Sequence, residues 1–316
     1  MHKSNADPKD TKEPGGMPPD SRCGFVALIG APNVGKSTLV NALVGSKVTI
    51  VSPKVQTTRA LVRGIVMEGV SQVVLVDTPG IFAPKRRLDR AMVTTAWAGA
   101  HDADLVCALI DAKRGLDGET EAMMAKLSDI QHRKILVLNK VDIVDKPKLL
   151  ALAEKANTLQ KFDATFMVAA ISNYGVADLR KYLGECVSPG PWLYPEDQIA
   201  DAPAQSLSTE ITREKLFHKL HQELPYQLTV EVEQWKELRG GALRIEQTIY
   251  VERESQRKIV LGEDGQMIKW IGATARKELS ELLEREVHLF LFVKVREGWG
   301  DDPERYREMG LEFPKG

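Results

Sequence analysis

Residues 30–37 read Gly30-Ala31-Pro32-Asn33-Val34-Gly35-Lys36-Ser37, the pattern Gly-x-x-x-x-Gly-Lys-Ser, and no other feature restricts the fold so tightly. An apolar run at 25–29 precedes it, and a stretch with helical spacing runs from Lys36 to Gly45. Strand, glycine-bearing loop and helix N-terminus in that order form a phosphate cradle. Successive backbone N–H groups converge on the anion, and the helix end adds positive potential. In such a cradle the loop Gly30 to Gly35 wraps the phosphates, with Thr38 next to it on the helix. Lys36 bridges the β- and γ-phosphates, and the Ser37 hydroxyl ligates Mg²⁺.

The surrounding texture fits an α/β chain. Apolar runs at 25–29, 73–76, 105–110, 135–138 and 166–169 alternate with amphipathic stretches near 119–128, 147–160 and 176–182. Unbroken apolar runs suit strands buried on both faces, hence a mainly parallel sheet with helices on either side. A length of 316 residues suggests two domains. Lys and Arg total 43 against 44 Asp and Glu, a net charge of −1, which excludes a uniformly basic coat and leaves any phosphate-binding surface as a local patch. The longest apolar run, 105–110, is too short to span a bilayer, so no transmembrane segment is expected. Residues 1–22 carry no apolar leader and almost nothing to bury, and read as a disordered tail. Cys23, Cys107 and Cys186 lie far apart, as free thiols of a cytoplasmic protein would.

Three further motifs follow the loop in order. Asp77-Thr78-Pro79-Gly80 ends the run at 73–76, where a carboxylate can hold Mg²⁺ through water and the Gly80 N–H can sense a γ-phosphate. By itself it would be an ordinary turn. Asn139-Lys140-Val141-Asp142 ends the run at 135–138. The Asp142 carboxylate can accept from guanine N1–H and the 2-amino group. Adenine offers neither and would strand a desolvated carboxylate, so the ligand is GTP or GDP. Asn139 can tie this loop to the cradle, and the Lys140 stem can lie along the base. Between the phosphate loop and Asp77, Gln56-Thr57-Thr58-Arg59 offers a hydroxyl to complete the Mg²⁺ shell, Thr58 being preferred to Thr57 because it directly precedes the arginine. Lys85-Arg86-Arg87 reads as a solvated face that could also touch RNA.

Proline and glycine mark 188–205 as a linker, separating a unit at 23–187 from one at 206–296 and a charged tail at 297–316. In the second unit a helix is expected at 210–224, strands at 228–235 and 244–251, and a further run at 258–261 read as a strand. Gly262-Glu263-Asp264-Gly265 follows, then a helix from Gln266 to Leu283 broken at Gly272, and a last strand at 287–295.

The four motifs of the first half resemble the translation-factor-like class of small GTPases. In the second half, Arg213-Glu214-Lys215, Glu223-Leu224-Pro225-Tyr226, Val251-Glu252-Arg253-Glu254, Lys294-Val295 and Gly298-Trp299 narrow the resemblance to the bacterial Era family, over 23–305. The resemblance implies a Ras-like P-loop GTPase domain joined to a smaller α+β type II KH domain. It also implies binding to the 3′ end of 16S ribosomal RNA during small ribosomal subunit maturation, and peripheral association with the inner membrane. From 253 to 277 six bases face three acids, so an RNA groove is expected along Lys258, Lys269, Arg276 and the backbone of Gly262 and Gly265, with Ile259 and Ile268 either under bases or in the core.

Several residues depart from the family pattern. Glu263 and Asp264 would repel phosphate. Ala169-Ala170 stands where Ser-Ala is usual, leaving the Ala170 N–H to reach guanine O6. Ile81 occupies the position at which many such enzymes carry a water-orienting Gln, so slow intrinsic turnover is expected, and Asn33 is a candidate K⁺ ligand beside the phosphates. Two other readings stand beside the switch: an RNA-binding module with a structural nucleotide, and a GTPase with a protein or membrane-surface partner.

Overall fold

The computed structural model describes residues 18–314 other than 222. Residues 1–17 of the expected tail lie outside them, but Arg22 already belongs to the first strand, and Ser21 Oγ donates to Gly190 O at 3.1 Å.

The first unit runs β1 (Arg22–Ile29), α1 (Lys36–Val44), β2 (Val62–Glu68), β3 (Ser71–Asp77), α2 (Arg87–Asp102), β4 (Leu105–Asp111), α3 (Gly118–Lys126), β5 (Arg133–Asn139), α4 (Lys146–Leu159), β6 (Ala164–Val168) and α5 (Val176–Cys186). The strand order is β2-β3-β1-β4-β5-β6, parallel except for β2. Every residue of β3 is buried, as strands covered on both faces require. One core lies beneath α2, α3 and α4 and a second beneath α1 and α5. The parallel strands end together at Ile29, Asp77, Asp111 and Asn139, so the loops that follow share one edge of the sheet.

Two elements escaped the sequence reading. Strand β2, antiparallel to β3, carries only the three-residue apolar run Ile65-Val66-Met67 between Arg63 and Glu68, too short to stand out in the sequence. Helix α2 begins at Arg87, inside the basic stretch taken for a solvated face. Asp89 accepts from the Arg86 N–H at 2.9 Å and caps the helix, while Leu88, Ala91, Met92, Ala96 and Trp97 fill one side.

The stretch at 188–205 is not a free linker. Ser188–Pro189 forms a short strand, β7, on β1. Gln72 Oε1 accepts from the amides of Leu193 and Tyr194 at 2.8 and 3.0 Å, Ala200 bridges to Gly64, and Ala204 already opens the next helix.

The second unit runs α6 (Ala204–Lys219), β8 (Leu228–Glu237), β9 (Leu243–Val251), α7 (Glu254–Leu261), α8 (Gln266–Leu282) and β10 (Val287–Val295). Its sheet is ordered β10-β9-β8, with β10 parallel to β9 and β8 antiparallel. Here the expectation needs correction. Residues 258–261 are helical, so the Gly262–Gly265 turn joins two helices rather than a strand and a helix. A four-residue apolar run does not distinguish the two periods; here only Val260 of α7 is buried. Gly272 does not break α8, since it lies in the helix interior with Leu291 packed near it.

Within the charged tail expected at 297–316, the described residues 297–314 pack on the first unit. Helix α9 (Pro303–Glu308) and the turn before it place Trp299, Tyr306 and Leu311 against Leu88, Ala91 and Met92 of α2. The second domain is thereby packed on the first. Opposite that contact, Glu214 of α6 lies between the units. Its carboxylate accepts from the Val51 N–H at 2.9 Å and from Lys47 Nζ and Lys215 Nζ at 2.7 and 2.8 Å.

Burial alone would raise the Glu214 carboxyl. The bonds from Lys215, Lys47 and Val51, with the Lys47 charge, outweigh it and hold the group below its usual 4.5. A carboxylate so depressed stabilises the fold above its unfolded value, and the contribution disappears as pH falls through the folded one. Glu214→Gln should therefore cost about 1–3 kcal/mol at pH 7. Thermal unfolding followed by circular dichroism should show the two proteins converging as pH falls below about 4.5. Parallel curves would remove Glu214 from this account.

Candidate functional site

The loop between β1 and α1 closes around Lys36. That residue is 6% exposed, and its ammonium donates to Gly30 O at 3.0 Å and Ala31 O at 3.2 Å. Burial pushes the Lys36 pKa down to about 8, with the Asp77 carboxylate resisting. Gly35 opens α1 at φ 96°, and a Cβ there would stand 2.3 Å from Asn139 Nδ2, so only glycine fits. Gly80 is constrained in the same way, because a Cβ would press on Pro32 Cγ at 2.9 Å.

Asp77 gathers the oxygens. Its Oδ2 accepts from Ser37 Oγ at 2.7 Å, Thr49 Oγ1 at 3.0 Å and Thr58 Oγ1 at 3.2 Å, and Ser37 and Thr58 are 2.9 Å apart. Of the two threonines it is Thr58 that faces Asp77, whereas Thr57 Oγ1 donates to Lys54 O at 2.8 Å. Burial raises the Asp77 carboxyl, while the hydroxyl bonds and Lys36 hold it back. Its Oδ1 is buried with no hydrogen-bond partner among the described residues. Two hydroxyls and a half-satisfied carboxylate are hard oxygen donors of the kind Mg²⁺ takes alongside phosphate and water. Groups of three or more His, Cys, Asp and Glu placed to hold a metal ion do not occur among the described residues.

Gly35, Lys36, Ser37 and Thr58 border a cavity of about 350 Å³, lined also by Pro32, Asn33, Thr38, Thr78, Gly80 and Lys140. Ala31 and Val34 are buried behind the loop. The Thr78 hydroxyl turns back to Leu28 O at 2.7 Å and secures Pro79-Gly80 to β1. Ile81 is buried in the core, its N–H donating to Gly30 O at 3.0 Å.

A smaller hollow of about 40 Å³ adjoins, lined by Gly35, Thr38, Asn139, Lys140, Asp142, Ala169, Ala170 and Ile171. Asn139 braces it, its Nδ2 donating to Val34 O at 2.8 Å and its Oδ1 accepting from the Ala170 N–H at 3.1 Å. Ala170 thus stands beside Asp142, although its N–H is engaged by Asn139. Lys140 reaches across to Asn33 O and to Asp111 Oδ2, at 2.7 and 2.6 Å. Thr49 and Asp111 were missed in the sequence. Asp111 was findable, since it ends the strand run at 105–110 and stands opposite Asn139 in the register. Thr49 carries no motif.

On the second domain, Lys258, Lys269 and Arg276 are exposed, and so are Glu263 and Asp264. Gly262 has φ 74° and Gly265 φ 71°, and a Cβ on Gly262 would meet Met267 Cβ at 2.7 Å. Lys269 Nζ donates to Asp264 O at 3.3 Å. A groove of about 400 Å³ runs between α8 and β10, lined by Ile268, Lys269, Gly272, Ala273, Arg276 and by Leu289, Phe290 and Leu291. It takes in Lys269 and Arg276 but not Lys258, which is on α7. Ile259 is 56% exposed and so is not core. Phe290, 43% exposed with the Arg244 guanidinium 4.6 Å from its ring centre, adds a stacking face that composition did not suggest.

Sheet order, cradle and base hollow define a P-loop GTPase domain of Ras-like fold, and the second unit is a type II KH domain. A family model described as 50S ribosome-binding GTPase matches residues 25–140, and a KH domain model matches 223–300. GTPase Era of Bradyrhizobium diazoefficiens is 70% identical over 95% of this chain and 98% of its own. Among solved structures, Era in complex with MgGDPNP and nucleotides 1506–1542 of 16S ribosomal RNA aligns with TM-score 0.87 at 35% identity, covering 92% of this chain and 99% of that one. A point variant of Aquifex aeolicus Era bound to GDP·AlF₄⁻ aligns with TM-score 0.86, also at 35% identity, covering 92% of this chain and 99% of that one. The chain belongs to the GTPase Era family.

Asp142→Asn should weaken GDP binding by about a hundredfold and favour xanthosine diphosphate, whose 2-oxo group can accept from the amide. Fluorescence titration with both nucleotides checks this. An unchanged guanine preference would remove Asp142 from base selection.

Proposed function

We propose that the protein is a GTP-hydrolysing switch that binds the 3′ end of 16S ribosomal RNA and assists assembly of the small ribosomal subunit. One observation carries the reading: the cradle, the Asp142 hollow and the KH groove all stand on one chain, and a relative of the same full-length architecture was solved with MgGDPNP and that RNA segment. No helix among the described residues is long and apolar enough to cross a membrane. Contact with the inner membrane, as the family resemblance implies, is then peripheral.

In this reading Lys36, the amides of 33–38 and the Gly80 N–H hold the β- and γ-phosphates. Ser37, Thr58 and Asp77 hold Mg²⁺, directly or through water. Bound there, the ion neutralises charge developing on the phosphate oxygens. Ile81 cannot orient the attacking water, being apolar and buried, so catalysis rests on positioning and electrostatics, and intrinsic turnover is slow. Asn33 lines the cavity with φ 63°, and its Nδ2 donates to Pro53 O at 2.8 Å. P-loop and switch loop therefore meet at the place proposed for K⁺.

Hydrolysis should be faster in KCl than in NaCl, and Asn33→Ala should abolish the difference; phosphate-release assays giving equal wild-type rates would eliminate the K⁺ site. For the RNA, a single-stranded oligonucleotide of the 3′-end sequence should bind with salt-dependent affinity. Lys269→Ala and Arg276→Ala should each weaken it and lower the salt slope by about one. Binding indifferent to salt and to both substitutions would place the RNA elsewhere.

A further inference from the structure

Residues 56–59 are held one by one to different parts of the molecule. Gln56 Nε2 donates to Asp89 Oδ1 at 2.9 Å, at the start of α2. Thr57 O accepts from the Arg213 guanidinium on α6. Thr58 Oγ1 donates to Asp77. Arg59 then crosses into the KH domain, where Nη1 donates to Leu228 O at 2.8 Å and Nη2 to Pro225 O at 3.3 Å. The Trp299 ring centre stands 5.9 Å from the guanidinium carbon, and Trp299 Nε1 itself donates to Gln227 O at 3.2 Å. Arg59 is only 5% exposed.

This is a costly arrangement for a surface loop. A guanidinium taken out of water must be repaid by its partners, and burial, with the Arg213 cation nearby, pushes its pKa down to about 9. Its two acceptors are main-chain carbonyls where the turn Leu224–Gln227 enters β8, so the bonds hold backbone rather than a mobile side chain. Consecutive Cα atoms are about 3.8 Å apart. Thr58 cannot leave Asp77 by more than a few ångströms without pulling Arg59 from those carbonyls.

We propose that Arg59 is the positioning residue through which the nucleotide and the RNA sense each other: its seat on Pro225 and Leu228 holds the KH domain in register with Thr58. A γ-phosphate that keeps Thr58 in place favours the docked KH domain. RNA bound to that domain favours Thr58 in place, and the two effects are equal by linkage. The proposal rests on the switch reading above and assigns it a residue. Arg59 touches neither nucleotide nor RNA, and acts through Thr58 on one side and the turn on the other.

The test is a ratio measured within each protein, so that a general loss of affinity or folded fraction cancels. The affinity of full-length protein for the 3′-end RNA oligonucleotide is measured with a non-hydrolysable GTP analogue and with GDP. Wild type should bind about fivefold or more tightly in the triphosphate form. In Arg59→Ala the ratio should fall to within about twofold of one. Arg59→Lys, which keeps a cation but loses the two-pronged geometry, should restore part of it, and Trp299→Leu should lower it. An Arg59→Ala protein that keeps the wild-type ratio overturns the assignment while leaving the switch intact. A wild-type ratio of one overturns the switch itself. If Arg59→Ala does not fold, Arg59→Lys and Trp299→Leu decide: wild-type ratios in both overturn the assignment.

Discussion

The Asp77 carboxylate, buried at the end of β3 and accepting from Ser37, Thr49 and Thr58, is the interaction around which the nucleotide side is organised. Three hydroxyls from separate segments converge on one oxygen, Oδ2, and leave Oδ1 without a partner among the described residues. A buried carboxylate is stable only with donors around it, so the hydroxyls are held inward by the cost of stranding the charge. Those hydroxyls are also hard donors for Mg²⁺, so the same bonds that pack the site prepare it to be bridged by a cation.

The boundary between the domains is assembled largely from segments of the GTPase domain that border the nucleotide cavity or follow the Asp77–Gly80 loop. Residues 51–59 meet α6 and the start of β8, and α2 meets the C-terminal segment through Trp299, Tyr306 and Leu311. A chain that only tethered an RNA-binding module to a GTPase could have used any surface. Here the covered surface includes α2, which accounts for Tyr306 being among the largest fully buried side chains although it lies outside the two sheets.

Much of the site could be read in advance because its demands are local. Gly35, Lys36 and Ser37 must be neighbours for one loop to wrap one phosphate, and Asn139 and Asp142 must follow a buried strand to face one base. Unbroken apolar runs marked β1, β3, β4 and β5 for the same reason. What escaped was set by partners distant in sequence. Strand β2 offered only a three-residue apolar run between Arg63 and Glu68, and its pairing to β3 on one edge and to Ala200 on the other joins segments remote in sequence. Helix α2 hid behind three basic residues. Residues 258–261 were too few for their period to show, and Trp299 and Tyr306 looked like a polar tail because the surface they cover lies some two hundred residues earlier.

The amino-acid sequence alone determined the class of ligand and the sheet that presents it, since both depend on short spacings and on the burial of continuous runs. Tertiary structure alone decided which threonine faces Asp77, that Asn139 engages the Ala170 N–H, that Phe290 lines the KH groove, and that Arg59 is buried in the neighbouring domain. The reason is physical. A motif specifies which groups stand beside one another along the chain, whereas a buried hydrogen bond or a packed ring exists only when two remote segments have been brought within a few ångströms and water has been excluded from between them.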